Sequence, residues 1–87
     1  MKIKDGFILR EVAGNFIVVA VGDAVKNFHG IINLNETGAF LWKILEKGGD
    51  EQSLVSALLS EYDVSEEIAV NDVKAFITKL TEAGLVK

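Results

Sequence analysis

His29 is the only histidine in the chain, and cysteine is absent. A lone histidine without a second histidine, a cysteine pair or spaced carboxylates does not make a metal site, so His29 reads as a loop or strand-end residue. Without cysteine there is no disulfide, thiolate ligand or thiol nucleophile. Glu36, Glu66 and Glu67 are candidate acids, but each stands where a helix starts, and carboxylates favour that position for the helix dipole alone. Ser53, Ser56, Ser60 and Ser65 have no base in view to activate them. Gly22 and Gly48-Gly49 lack the glycine count and following lysine of a phosphate loop. No catalytic residue, metal site or cofactor site is assigned, and the chain reads as a non-enzyme.

Chemistry being absent, the elements carry the information. The chain has 87 residues, 49% hydrophobic and 25% charged, with a net charge of −4. That suits one globular domain over residues 1–87 and excludes a disordered chain. Residues 1–49 carry six basic and five acidic side chains, a balance of +1; residues 50–87 carry three basic and eight acidic, a balance of −5. An acidic C-terminal half repels phosphates and argues against nucleic acid. No apolar run approaches the roughly 20 residues that span a bilayer. The start, Met1 to Gly6, has no signal-peptide core, and cytoplasm is the default expectation.

The hydrophobic period changes once. Phe7 to Leu34 reads as strands: Phe7–Val12, Phe16–Val21 and Gly30–Leu34. Gly14-Asn15 reads as a two-residue type II′ hairpin loop. Phe16–Val21 is apolar throughout, which predicts a strand covered on both faces or central in its sheet. Gly22-Asp23 marks a turn, and Ala24 to His29 reads as irregular. In the third strand Ile32 and Leu34 share one face, and Ile31 and Asn33 the other.

Three helices follow. Asn35 caps the first, with a stripe of Phe40, Leu41, Ile44 and Leu45; Trp42 stands off that stripe, one turn beyond Gly38. Gly48-Gly49 ends it. Asp50 caps the second, with Leu54, Val55, Leu58, Leu59 and Tyr62 inward. Ser65 caps the third, with a core stripe of Ala69, Val73, Phe76 and Leu80 and a flanking line of Val70 and Ile77. Gly84 is set to end it, with Leu85 folding back on Leu80. Trp42 has two readings, core filler or partly exposed anchor for a partner.

The order β-β-β-α-α-α is α+β: a three-stranded antiparallel sheet followed by three helices. If sequential strands pair as neighbours, the third lies at an edge with open N–H and C=O groups. Natural edges are blunted by proline, lysine or bulges, and Gly30–Leu34 has little of this. Either a loop, Leu85-Val86 or a second chain covers that edge, or a peptide docks on it as an added strand.

The segment Leu34-Asn35-Glu36-Thr37-Gly38-Ala39-Phe40-Leu41-Trp42-Lys43-Ile44-Leu45 resembles the L-N-x-T-[GA]-x-x-[IL]-W-x-x-[IL] signature of the PqqD family, the coenzyme PQQ synthesis protein D-like proteins. Asp50 to Tyr62 is similar to the helix that follows in that family, and Asp72 to Val86 to its D-V-x-x-F-[IL]-x-x-L-x-x-x-G-L-[IVL] ending. The resemblance implies a winged-helix-like peptide-recognition domain. It implies a peptide chaperone, a non-catalytic recognition element for ribosomally made, modified peptides. Its partners would be the leader segment of a precursor peptide and a modifying enzyme, often a radical SAM protein. The leader would add to the third strand at Gly30, Ile31, Ile32, Asn33 and Leu34, and lie against the third helix at Val70, Val73, Lys74 and Ile77. Two other readings stand beside it. One is a winged-helix DNA-binding regulator using Glu66 to Ala83, a helix with four acidic residues (Glu66, Glu67, Asp72 and Glu82) against Lys74 and Lys79. The other is a homodimer that pairs the same edge with itself.

Overall fold

A computed structural model of the chain describes residues 1–28 and 30–87. His29, read above as a loop or strand-end residue, lies outside the described residues. The strands are β1 (Phe7–Val12), β2 (Asn15–Ala20) and β3 (Ile32–Leu34), and the helices are α1 (Glu36–Leu45), α2 (Glu51–Glu61) and α3 (Glu66–Glu82). The sheet is antiparallel in the order β1-β2-β3, so β3 lies at an edge, as the sequence predicts.

The β1–β2 turn differs from the expected one. The loop is Ala13-Gly14, not Gly14-Asn15, and Asn15 already pairs with Val12. Ala13 and Gly14 have φ of 51° and 81°. Two consecutive left-handed residues make a type I′ turn, which matches the twist of the flanking strands. β3 is also shorter than expected: Gly30 and Ile31 precede the strand. The stretch read as irregular contains a short 3-10 helix over Gly22–Lys26.

Alternation puts Phe7 and Leu9 of β1, Phe16 and Val18 of β2, and Ile32 and Leu34 of β3 on one face, packed into the core. β2 is central but not covered on both faces. Ile17 and Val19 on the far side are half-buried among their neighbours. The N-terminus crosses the C-terminus: Ile3 bridges Val86, and the Lys4 N–H donates to the Leu85 carbonyl at 2.8 Å. Leu85-Val86 is therefore engaged with the N-terminus and does not cover β3.

The caps follow local chemistry. Asn35 Oδ1 accepts from the Gly38 N–H at 2.8 Å and closes the first turn of α1. The Asp50 carboxylate accepts from the Ser53 N–H at 2.7 Å while Ser53 Oγ accepts from the Asp50 N–H at 3.0 Å, a reciprocal capping box. The Ser53 backbone bond, first, and its hydroxyl hold the Asp50 carboxyl below the usual carboxylate range. Ser65 Oγ accepts from the Ile68 N–H. Helix α3 ends in a Schellman motif: Gly84 takes φ +77°, the Leu85 N–H donates to Leu80 and the Gly84 N–H to Thr81.

Trp42 is fully buried with Leu41 and Leu45, so it fills the core and is no exposed anchor. It does not stand off the apolar side of α1. That helix is enclosed nearly all round, with Phe40 and Ile44 half-buried beside it. Phe40 meets Tyr62 edge to face at 5.5 Å. In α2, Leu54 and Leu58 are buried while Leu59 points outward, off the expected stripe. The α3 stripe of Ala69, Val73, Phe76 and Leu80 is buried as read. No helix among the described residues is long and apolar enough to cross a membrane.

Candidate functional site

The outer edge of β3 is an open feature of the fold that adjoins a groove. In an antiparallel strand the N–H and C=O of one residue point to the same side, and successive residues alternate. A two-residue hairpin makes Val12 and Asn15 a hydrogen-bonded pair, so Asn15, Ile17 and Val19 bond toward β1. Phe16 and Val18 then bond toward β3, where their partners are Leu34 and Ile32. Asn33 turns its backbone groups away from the sheet, and the same alternation carried back past the start of β3 assigns Ile31 outward too. An independent contact agrees: Lys79 Nζ of α3 donates to the Asn33 carbonyl at 2.6 Å. No other backbone bond outside the sheet reaches Ile31 to Leu34 among the described residues.

A groove runs beside this edge. Leu34, Asn35, Thr37, Gly38 and Leu41 form one wall, and Asp72, Ala75, Phe76 and Lys79 of α3 form the other. Leu34, Leu41 and Phe76 are buried and make an apolar floor, while Asp72 and Lys79 are exposed at the rim. Gly38 keeps the floor close. A Cβ there would lie 3.3 Å from Leu34 Cβ and 3.1 Å from Asn35 Oδ1, tighter than ordinary packing. Asn35 thus serves twice, as helix cap and as groove wall.

The structure places the expected site residues unevenly. Ile31 and Asn33 are exposed, with side chains on the outer face of the sheet, whereas Ile32 and Leu34 point into the core. Gly30 is exposed and, with Ile31, borders a shallow apolar hollow formed by Val19, Ala20, Val25 and Phe28. Val73 is fully buried. Val70, Lys74 and Ile77 do not line the groove. At helical spacing they lie on one flank of the core stripe, and Asp72, Ala75 and Lys79 lie on the other. Both flanks have the same period, so periodicity does not choose between them; small Ala75 opposite the edge is the only local hint. Of the expected site residues only Leu34 lines the groove, and Asp72, Ala75 and Lys79 of α3 are groove residues not assigned to the site from the sequence.

Among the described residues, no group of three or more His, Cys, Asp and Glu side chains comes together as a metal site would require. The Tyr62 hydroxyl, away from the groove, is pushed above its ordinary value by burial, with Glu36 and Glu61 adding to it.

Comparison with known proteins gives this geometry a context. Two solved structures share the fold. One is described as TbiB1 in complex with the TbiA(beta) leader peptide; it is 22% identical, has a TM-score of 0.77, and the match covers 100% of this chain and 95% of that one. The other is lasso peptide synthetase B1 complexed with the leader peptide, at 23% identity and a TM-score of 0.73, covering 97% of this chain and 93% of that one. No curated protein matches significantly. Residues 8–86 match the family described as coenzyme PQQ synthesis protein D (PqqD), nearly the whole chain, and the protein belongs to that family.

Proposed function

We propose that this protein is a non-catalytic recognition module that captures the leader segment of a ribosomally made precursor peptide and presents it to a modifying enzyme, a radical SAM protein being the leading candidate. The leader adds as a strand to β3 and lies in the groove against α3. The observation that carries this reading is the outward-turned backbone of Ile31 and Asn33 beside an apolar-floored groove. The two solved neighbours, each bound to a leader peptide, support it.

The energetics suit such a ligand. Ile31 and Asn33 offer two N–H groups and the Ile31 C=O, with the Asn33 C=O shared with Lys79 Nζ, and each hydrogen bond nets about 1 kcal/mol. One Leu- or Phe-sized anchor on the Leu34–Leu41–Phe76 floor adds about 2 kcal/mol. After the cost of association these terms alone give weak binding, so micromolar affinity requires further anchors along the groove. The regulator reading gains nothing. A DNA-recognition helix offers Arg, Lys, Asn or Gln to bases and phosphates, whereas Glu66, Glu67, Asp72 and Glu82 of α3 outnumber its Lys74 and Lys79.

The test is a titration of isotope-labelled protein with the leader of a short precursor encoded beside its gene, followed by amide chemical shifts. Ile31, Asn33, Ala75 and Lys79 should move. Changes centred instead on Val70, Lys74 and Ile77 would place the ligand on the other flank of α3.

A further inference from the structure

We infer that Lys79 reads charge in the docked peptide: the module selects a strand that carries an acidic side chain on its groove-facing side, one residue from the position paired with Asn33. This rests on the docking reading above and deepens it.

Lys79 is exposed, yet its ammonium is held at 2.6 Å on the Asn33 carbonyl. That carbonyl is one of the four backbone groups an added strand would use. An ammonium carries three donors. Whether Nζ shares the oxygen with an incoming N–H or yields it, its remaining donors lie on the α3 side of the edge, where the peptide residue next to the Asn33 partner turns its side chain toward the groove. A carboxylate is the partner that forms charge-assisted bonds there. The opposite end of the groove has the opposite sign. Asp72 lies on the same face of α3 seven residues earlier, about 10 Å along the axis at 1.5 Å per residue. The groove therefore carries opposite charge at the two ends of its rim, favouring an acid near Lys79 and disfavouring one near Asp72. The net charge of −4 repels acidic ligands generally, so the preference is confined to the position beside Lys79.

The experiment is selection from a displayed library of random dodecapeptides at physiological salt. It uses wild type, Lys79→Met and Lys79→Glu, with thermal melts to check that the variants fold. Wild type should enrich Asp or Glu at one fixed position. Lys79→Glu should enrich Lys or Arg there, and Lys79→Met neither. Replacing the selected Glu by Gln in a synthetic peptide should weaken binding to wild type about tenfold and leave Lys79→Met unchanged. The enriched peptides are then tested on Ile31→Pro. If they lose binding there but their charge pattern is the same for wild type and Lys79→Glu, docking stands and the role of Lys79 is overturned. If they bind Ile31→Pro as well as wild type, or if nothing is enriched, the docking reading fails and this inference with it.

Discussion

The sheet has two outer edges, and they are not alike. The edge on β1 belongs to a six-residue strand and, by the same alternation, turns out the backbone groups of Phe7, Leu9 and Glu11. It is the longer edge, and it ends in exposed Arg10, Glu11 and Val12, the charged kind of edge that resists added strands. The edge on β3 is only three residues long. What distinguishes it is its surroundings: the floor of Leu34, Leu41 and Phe76, and a lysine already seated on its carbonyl. Open hydrogen-bonding groups net only about 1 kcal/mol each for an incoming strand, because water already satisfies them when the edge is free. An apolar wall beside the edge supplies the burial that backbone pairing lacks.

The largest expected effect comes from Phe76, which belongs to both the core and the groove wall. Phe76→Ala should cost about 3–5 kcal/mol, a large share of the stability of a domain this small. A thermal melt should show most of the protein unfolded at room temperature. A cooperative melt within a few degrees of wild type would mean that the wall beside β3 does not depend on this ring, and the contrast between the edges would weaken.

Asn35→Ala is milder. It removes the cap that fixes the junction of β3 and α1, and should cost about 1 kcal/mol in a denaturant titration. An unchanged midpoint would show that the groove wall holds without its cap.

The smallest effect is in acid and far from either edge. The folded pKa of Asp50 lies below its unfolded value, so its contribution is present above the unfolded pKa and is lost as pH falls through the folded one. Asp50→Asn keeps an acceptor at the cap and should flatten the acid limb of stability against pH slightly, while leaving peptide binding unchanged. An acid limb identical to wild type would remove Asp50 from the account.

How much of this was legible in the sequence follows from how local each feature is. The caps at Asn35, Asp50 and Ser65 and the Gly84-Leu85 stop depend on contacts within a few residues, and their residue types name them. The hairpin loop sits one residue earlier than read because alanine at position 13 accepts a left-handed conformation that sequence reasoning reserves for glycine. The strand order follows from short connections. The groove side of α3 does not follow from its pattern. Val70, Lys74 and Ile77 and, on the other flank, Asp72, Ala75 and Lys79 both follow helical spacing, and the hand of packing against the sheet decides between them. The Lys79–Asn33 contact joins residues 46 apart in the chain, beyond any local pattern.

On the proposed reading the peptide pairs with β3 and not β1, through Ile31 and Asn33. Proline substitution tests it most directly, because proline deletes one N–H. Ile31→Pro removes an outward N–H, Ile32→Pro one that bonds toward β2, and Glu11→Pro an outward N–H on the other edge. Calorimetric titration with the leader peptide, paired with thermal melts, should show Ile31→Pro folded but without measurable binding and Ile32→Pro with a damaged sheet. Glu11→Pro should be folded and bind as wild type does. Wild-type affinity in Ile31→Pro, or lost binding in a folded Glu11→Pro, would contradict strand addition at β3.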